Sequence, residues 1–340
     1  MKAIRFHEFG GPEVLKFEDV PDPQLRKDHL LVRVKACALN RLDVWVRKGV
    51  PGVNLPHIPG SDVSGDVVEV GEYITDIRPG TRVLLAPHVF CGYCEACVSG
   101  RQNFCPSYSV LGYRVDGGDC ELIAVPRVYA IPIPDFLSYD EAAAVPLVFL
   151  TAWHMLVGRA QIKPGQAVLV LGAGSGIGSA AIQICKLFNC TVITTAGDEA
   201  KLQRARELGA DHTINHYAQS ISDEVKKITE KRGVDIVFEH VGQATWMESQ
   251  KSVKPGGIIV TCGATTGVEG GIDLRFLYSR QLSILGSFMG SMGELHEVLK
   301  HVFAGRLRPV VDRRFDLREA AEAHHYMENG QFFGKIVLNP

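Results

Sequence analysis

At 340 residues the chain has room for about two domains of roughly 150 residues each. It is 46% hydrophobic and 22% charged, with a formal charge of −2 from 36 basic and 38 acidic residues. This composition supports packed cores and excludes collagen-like, disordered and coiled-coil classes. It also supplies no basic field to hold nucleic acid or an anionic membrane. Two counts stand out: 35 glycines, above the ordinary share of roughly 7%, and nine cysteines, four of them between Cys91 and Cys105.

The N-terminus, MKAIRFHEFGGPEVL, carries charges throughout and has no apolar core of signal-peptide length. Apolar runs such as QAVLVLGAG are too short to span a bilayer. A soluble, cytoplasmic protein with no membrane partner is expected, with thiols serving as metal ligands or packing groups rather than structural disulfides. To about residue 135, the runs KAIRF, HLLVRVKAC, DVSGDVVEV, TRVLLA and ELIAVP read as strands separated by Pro, Gly and Asp clusters. They predict a barrel-like antiparallel domain. Ser138 with Glu141 reads as a capping box opening an Ala-rich helix through SYDEAAAVPLVFLTAWHMLV.

From about residue 165, strand and helix alternate. AVLVLG, TVITTA, DHTIN, DIVFEHVG and GGIIVTCGA read as strands; SAAIQICKLF and DEAKLQRARELG read as helices. The repetition implies a parallel, doubly wound sheet. SMGELHEVLKHVFAG and LREAAEAHHYM read as helices and GKIVLNP as a last strand. The fold class is α/β.

AVLVL runs directly into Gly172-Ala173-Gly174-Ser175-Gly176-Ile177-Gly178 and then a helix. Residues without side chains let the backbone approach a pyrophosphate, and a helix N-terminus offers unpaired N–H groups. A strict G-x-G-x-x-G does not fit, and a tight structural turn is the competing reading. The next strand ends at Ala196-Gly197, where an NAD-binding site usually carries an acid, and Lys201 follows. This favours NADP(H) over NAD(H); Asp198, two residues on, argues the other way.

Cys91, Cys94, Cys97 and Cys105 follow a C-x2-C-x2-C-x7-C spacing. Four thiolates close a tetrahedral shell around one zinc ion and leave no position for water, which makes the site structural. An iron–sulfur centre or disulfides are the alternatives.

Taken with FGGPEVL, ALNRLDVWVRKG, LPHIPGSDVSGDVVEVG, VPLVFLTAWHML, GAGSGIGSAAIQICK, ELGADHTIN and LSILGSFMG, the chain resembles the medium-chain dehydrogenase/reductase superfamily. Within it, the chain looks most like the quinone oxidoreductase, zeta-crystallin-like branch. The resemblance covers essentially the whole chain. It implies a GroES-like β-rich catalytic domain from 1–149 and 291–340, with a zinc lobe at 91–105, and a Rossmann domain at 150–290. It implies a homodimer or homotetramer through the LSILGSFM strand, and a small-molecule substrate.

The resemblance also locates the catalytic-zinc ligands of the alcohol dehydrogenases. Their cysteine falls on Asn40, three before Asp43; their Gly-His-Glu reads Gly60-Ser61-Asp62; their third ligand falls within PLVFL. No catalytic zinc is therefore expected beside the one structural zinc per subunit. Hydride transfer from NADPH to a quinone or an α,β-unsaturated carbonyl follows, because a conjugated acceptor spreads the charge without a Lewis acid.

Asn40 is the candidate donor to the substrate oxygen, or else caps a turn; Asp43 anchors the loop; Trp45 lines the pocket or packs in the core. The resemblance places Thr151 near the nicotinamide, and His216 beside the adenine unless it is a surface residue; Val241, Gly263 and Ala264 end two parallel strands, where ligands sit in a doubly wound sheet. Cys185 and Cys190 read as packing groups, and His324-His325 as surface or helix-face residues. Two other readings remain open. One is an alcohol dehydrogenase with atypical ligands among His57, Asp62 and His88. The other is a non-catalytic NADPH- or RNA-binding protein.

Overall fold

A computed structural model describes residues 1–340. The chain divides into two compact units, Met1–Leu147 with Ser291–Pro340, and Val148–Gly290. No helix is long and apolar enough to cross a membrane.

The first unit is built on one sheet. In spatial order its strands are Val311–Asp316, Lys335–Asn339, His29–Ala38, Asp62–Val70, Arg82–Leu85 and Ala130–Pro132; Leu122–Pro126 also pairs with His29–Ala38. Residues His29–Arg33 take Leu122–Pro126 as neighbour, while Cys37 and Ala38 take Leu338 and Val337. One edge of the long strand thus serves two partners in turn. Its sequence explains the placement: Leu30, Val32, Val34 and Ala36 are buried at period two, with Arg33 and Lys35 facing water. At its far end Cys37 and Ala38 are both buried, because chain covers both faces there. The C-terminal pair runs parallel; the other pairs in this sheet are antiparallel.

Ser138 and Glu141 form the expected capping box, Ser138 N–H donating to Glu141 at 3.0 Å. The single Ala-rich helix does not form. It is a short helix Tyr139–Ala143, a second Pro146–Trp153, and a wider-wound turn His154–Arg159. Pro146 explains the break: it lacks an N–H, and its ring disfavours helical backbone at the residue before it.

His324 also departs from expectation. It is fully buried, with Nδ1 at 3.2 Å from Arg47 Nη1. Arg47 is itself fully buried; it donates to Glu328 at 2.8 Å and to the Gly10 carbonyl at 3.2 Å. Burial, with the Arg47 guanidinium beside it, pushes His324 down to about 3. The neutral ring is then free to accept from Arg47. These contacts tie the helix Arg41–Lys48 to the helix Ala320–Glu328.

The second unit is a six-stranded, all-parallel sheet. Its order is His212–Asn215, Thr191–Ala196, Ala167–Val170, Val234–Glu239, Val253–Thr261, Ser283–Gly286. The chain starts at the third position, winds outward to one side, then crosses to the other. That is the doubly wound dinucleotide-binding order, and its crevice opens at the carboxyl ends of the first and fourth strands. The strands are nearly continuous apolar runs because helices cover both faces. Leu169, Ile193, Ile214, Val237 and Ile259 form the core of one face. Three helices here, Ile221–Ile228, Gln243–Ser252 and Leu274–Ser279, have no counterpart among the expected elements. The first is a short eight-residue helix, and the second, QATWMESQKS, has no apolar stripe to betray it.

Candidate cofactor, metal and active sites

The glycine turn leaves the strand Ala167–Val170 and enters the helix Gly176–Leu187. Gly172 has φ +63°, a left-handed conformation suited to glycine. The Gly172 carbonyl accepts from the Ser175 N–H at 3.0 Å and from its hydroxyl at 2.8 Å. Ser175 caps the helix by accepting from Gly178 N–H at 2.9 Å. A Cβ on Gly178 would lie 2.3 Å from the Gly172 oxygen. The turn is therefore closed onto the helix by the absence of a side chain. The amides of Gly176 and Ile177, first in the helix, have no acceptor within it and suit a phosphate. Gly174 lies between these points on the same turn.

His240 braces this turn, a role that the sequence reading did not assign. It lies half-buried one residue beyond the strand Val234–Glu239, with Nε2 at 2.7 Å from the Leu171 carbonyl and 3.4 Å from Ser175 Oγ. Burial holds it below the ordinary histidine value, so the ring is neutral. Its position at a parallel-strand end, in EHVG, was the available signal. Glu239 beside it is fully buried and accepts from Val241 N–H at 2.7 Å, Gly242 N–H at 3.0 Å and Ser249 Oγ at 2.6 Å. Val241 is thereby fixed at the crevice. Gly263 sits where a Cβ would meet the His240 carbonyl at 2.8 Å, and Ala264 follows it. Thr151 is buried, its hydroxyl 3.8 Å from Met289 Sδ. Gly197, Lys201 and His216 gather at the end of Thr191–Ala196, His216 N–H bonding the Ala196 carbonyl at 3.1 Å.

The four lobe cysteines converge. Their sulfurs lie within 4.8 Å of one another, with Cys91–Cys97 at 3.9 Å and Cys91–Cys105 at 3.6 Å. Four sulfurs about 2.3 Å from one ion stand about 3.8 Å apart, so the set fits a single tetrahedral zinc. It is too wide for disulfides and too tight for a multi-iron cluster between the thiols.

Asn40, Asp62 and Lys335 form a buried polar knot. Lys335 Nζ donates to Asn40 Oδ1 at 2.6 Å and to Asp62 Oδ2 at 2.8 Å. Asn40 Nδ2 donates to Asp62 Oδ2 at 2.9 Å and to the Ala38 carbonyl at 3.3 Å. Leu147 N–H donates to Asp62 Oδ1 at 2.8 Å. Both amide hydrogens of Asn40 therefore have partners inside the protein. Lys335 is the component that sequence reading missed; its only signal was a lone lysine at the start of an apolar last strand. Asp43 accepts from Asn40 N–H at 2.7 Å and from Gly60 N–H at 3.3 Å, anchoring the loop to the helix start. Trp45 on that helix is half-buried. His57 and His88 face other partners: His57 Nε2 meets the Gly112 carbonyl at 3.0 Å, and His88 Nδ1 meets the Tyr108 hydroxyl at 2.8 Å.

The comparisons with known proteins agree with this geometry. Residues 26–135 match the alcohol dehydrogenase GroES-like domain and residues 176–304 match the zinc-binding dehydrogenase family. The chain is 30% identical to a quinone oxidoreductase from Homo sapiens, across 99% of this chain and 97% of that one. The chain belongs to the medium-chain dehydrogenase/reductase superfamily. Among solved members, an NAD-dependent alcohol dehydrogenase is 44% identical with TM-score 0.97, covering 100% of both chains. A crotonyl-CoA carboxylase/reductase in complex with NADP is 26% identical with TM-score 0.92, covering 100% of this chain and 94% of that one.

Beside the knot, the first unit buries more acid than base. Asp43, Asp62 and Asp119 are all fully buried. No N–H or O–H group reaches either Asp119 oxygen; the weakly donating Cys37 thiol faces it. Burial, with Asp43 adding repulsion, pushes Asp119 up to about 7, and burial pushes Asp43 up to about 6.

Three outcomes follow. Purified protein carries one zinc per chain, and Cys105→Ser lowers that content by metal analysis. Lys335→Met leaves Asp62 buried without its cation and lowers unfolding stability by about 3–5 kcal/mol in denaturant titrations. An acid raised in the fold costs nothing below its unfolded value near ~3.9 and its full penalty above its folded value. Asp119→Asn therefore stabilises the protein at pH 8 by about 2–4 kcal/mol and little at pH 4, read by thermal unfolding at each pH.

Proposed function

We propose that this protein is an NADPH-dependent reductase of quinones or α,β-unsaturated carbonyls that works without a catalytic zinc. The observation that carries this reading is the Asn40–Asp62–Lys335 knot. By the family resemblance, zinc-dependent alcohol dehydrogenases place a thiolate at Asn40 and an imidazole at Ser61. Here an amide and a hydroxyl stand there, and an ammonium is bonded to the amide oxygen. A cation already hydrogen-bonded to Asn40 and Asp62 opposes a second one at the same place.

NADPH supplies a hydride when bound. The turn Gly172–Gly178 holds its phosphates through backbone amides, and His240 keeps that turn in shape. Thr151, Val241, Gly263 and Ala264 shape the nicotinamide end. A conjugated acceptor takes hydride at carbon and spreads the charge onto oxygen, so weak donors and water suffice to complete the reduction. Asn40 and Asp43 act as positioning residues, since their polar atoms are used within the fold. Trp45 offers the half-exposed aromatic wall for a planar substrate. The edge strand Ser283–Gly286 is the proposed contact between copies in a homodimer or homotetramer.

The 44% identical NAD-dependent alcohol dehydrogenase favours a second reading, alcohol oxidation with NAD. An activity screen separates the two. Oxidation of NADPH by a benzoquinone or a short enone, at least about tenfold more efficient than by an aldehyde, supports the proposal. Alcohol-dependent reduction of NAD lost on chelation overturns it. Trp45→Ala is expected to raise KM for the quinone about tenfold, a loss of the size of one aromatic contact, with kcat little changed.

A further inference from the structure

The end of the strand Thr191–Ala196 is where a doubly wound sheet receives the adenosine ribose. Its surroundings are unusual in charge. Asp198 caps the following helix, Glu199–Glu207, accepting from Lys201 N–H at 2.9 Å. The Lys201 ammonium lies 3.7 Å from the same carboxylate. These two fixed charges largely cancel. Across from them His216 follows the neighbouring strand His212–Asn215. Its Nε2 stands 3.4 Å from the point where a Cβ on Gly197 would be. The Tyr217 ring closes the same point at 2.5 Å and stacks edge-on to His216, centroids 4.6 Å apart. The Tyr217 ring thus fills the space that a side chain at Gly197 would take, and the His216 imidazole borders it.

His216 is half-buried and neither ring nitrogen has a hydrogen-bond partner in the structure. Lys201 and Asp198 are the charged groups that act on it. Burial, then Lys201, hold it below the ordinary histidine value. This strand end is therefore close to neutral at mildly alkaline pH and gains one positive charge when His216 protonates. A ribose 2′-hydroxyl is indifferent to that charge. A 2′-phosphate, carrying close to two negative charges at neutral pH, is not.

We propose that His216 is the specificity-determining residue that ties the choice between NADP(H) and NAD(H) to pH, phosphorylated cofactor being favoured on the acid side of neutrality. The inference rests on the proposed dinucleotide site. By linkage, a phosphate beside His216 raises the pH at which the ring loses its proton. Affinity for NADPH then falls between the free and bound values, by at most about tenfold per pH unit, and is level outside them. Affinity for NADH stays level throughout.

The test is direct binding of NADPH and NADH to the intact protein by isothermal titration at pH 6.5, 7.5 and 8.5. The NADPH-over-NADH affinity ratio is expected to fall at least about fivefold across this range, within the linkage limit. His216→Asn is expected to give a level ratio near the pH 8.5 value of the parent, and His216→Lys a level ratio near its pH 6.5 value. A level or rising ratio in the parent overturns the inference, as does an unchanged slope in His216→Asn. Failure of both dinucleotides to bind at millimolar concentration would instead overturn the cofactor reading beneath it.

Discussion

One buried ammonium fixes the first unit. Lys335 opens the last strand, Asn40 precedes the helix Arg41–Lys48, and Asp62 opens the strand Asp62–Val70. Taking such charges out of water costs several kcal/mol per ion unless every polar atom finds a partner. Here Asp62 accepts from Lys335, Asn40 and Leu147, and Lys335 donates to both other members. The three segments must therefore be placed together. This gives a physical reason for the chain to return at Ser291–Pro340 to the unit it left at Leu147. Arg47, His324 and Glu328 repeat the device on the next helix pair, again with a C-terminal group satisfying an N-terminal one.

The knot also constrains chemistry. A residue that binds a metal needs a lone pair free of other obligations. Asn40 has its carbonyl oxygen taken by an ammonium and its amide hydrogens taken by a carboxylate and a carbonyl. The other acids of this region, Asp43 and Asp119, are fully buried as well, and burial raises both above the ordinary carboxylate range. In the second unit the constraint is steric rather than electrostatic. Gly178 packs on the Gly172 carbonyl, His240 supports Leu171 and Ser175, and Glu239 gathers the next loop. The phosphate-binding turn is thus held in shape by neutral packing and backbone bonds.

Most of the fold was legible because its signals are local. Alternation in HLLVRVKAC, apolar runs such as AVLVL, and the capping box at Ser138 each depend on residues close in sequence. The zinc lobe was legible because its ligands span fifteen residues, Cys91 to Cys105. The glycine turn was legible despite its imperfect motif because strand and helix flank it. What escaped depends on partners far apart. Lys335 carries no local sign of its role, which appears only when it is placed against Asn40, 295 positions away. His324 reads as a helix-face residue until Arg47 arrives from 277 positions away. Pro146 was visible, yet the apolar run around it masked the break that it imposes.

In the proposed reaction, hydride moves without a metal at Asn40. The most direct measurement is the zinc content of protein that is actively turning over NADPH with a quinone. One ion per chain, retained by the four cysteines and lost when they are replaced, is the predicted result. Two ions per chain, the second removed together with activity by a chelator, would contradict it.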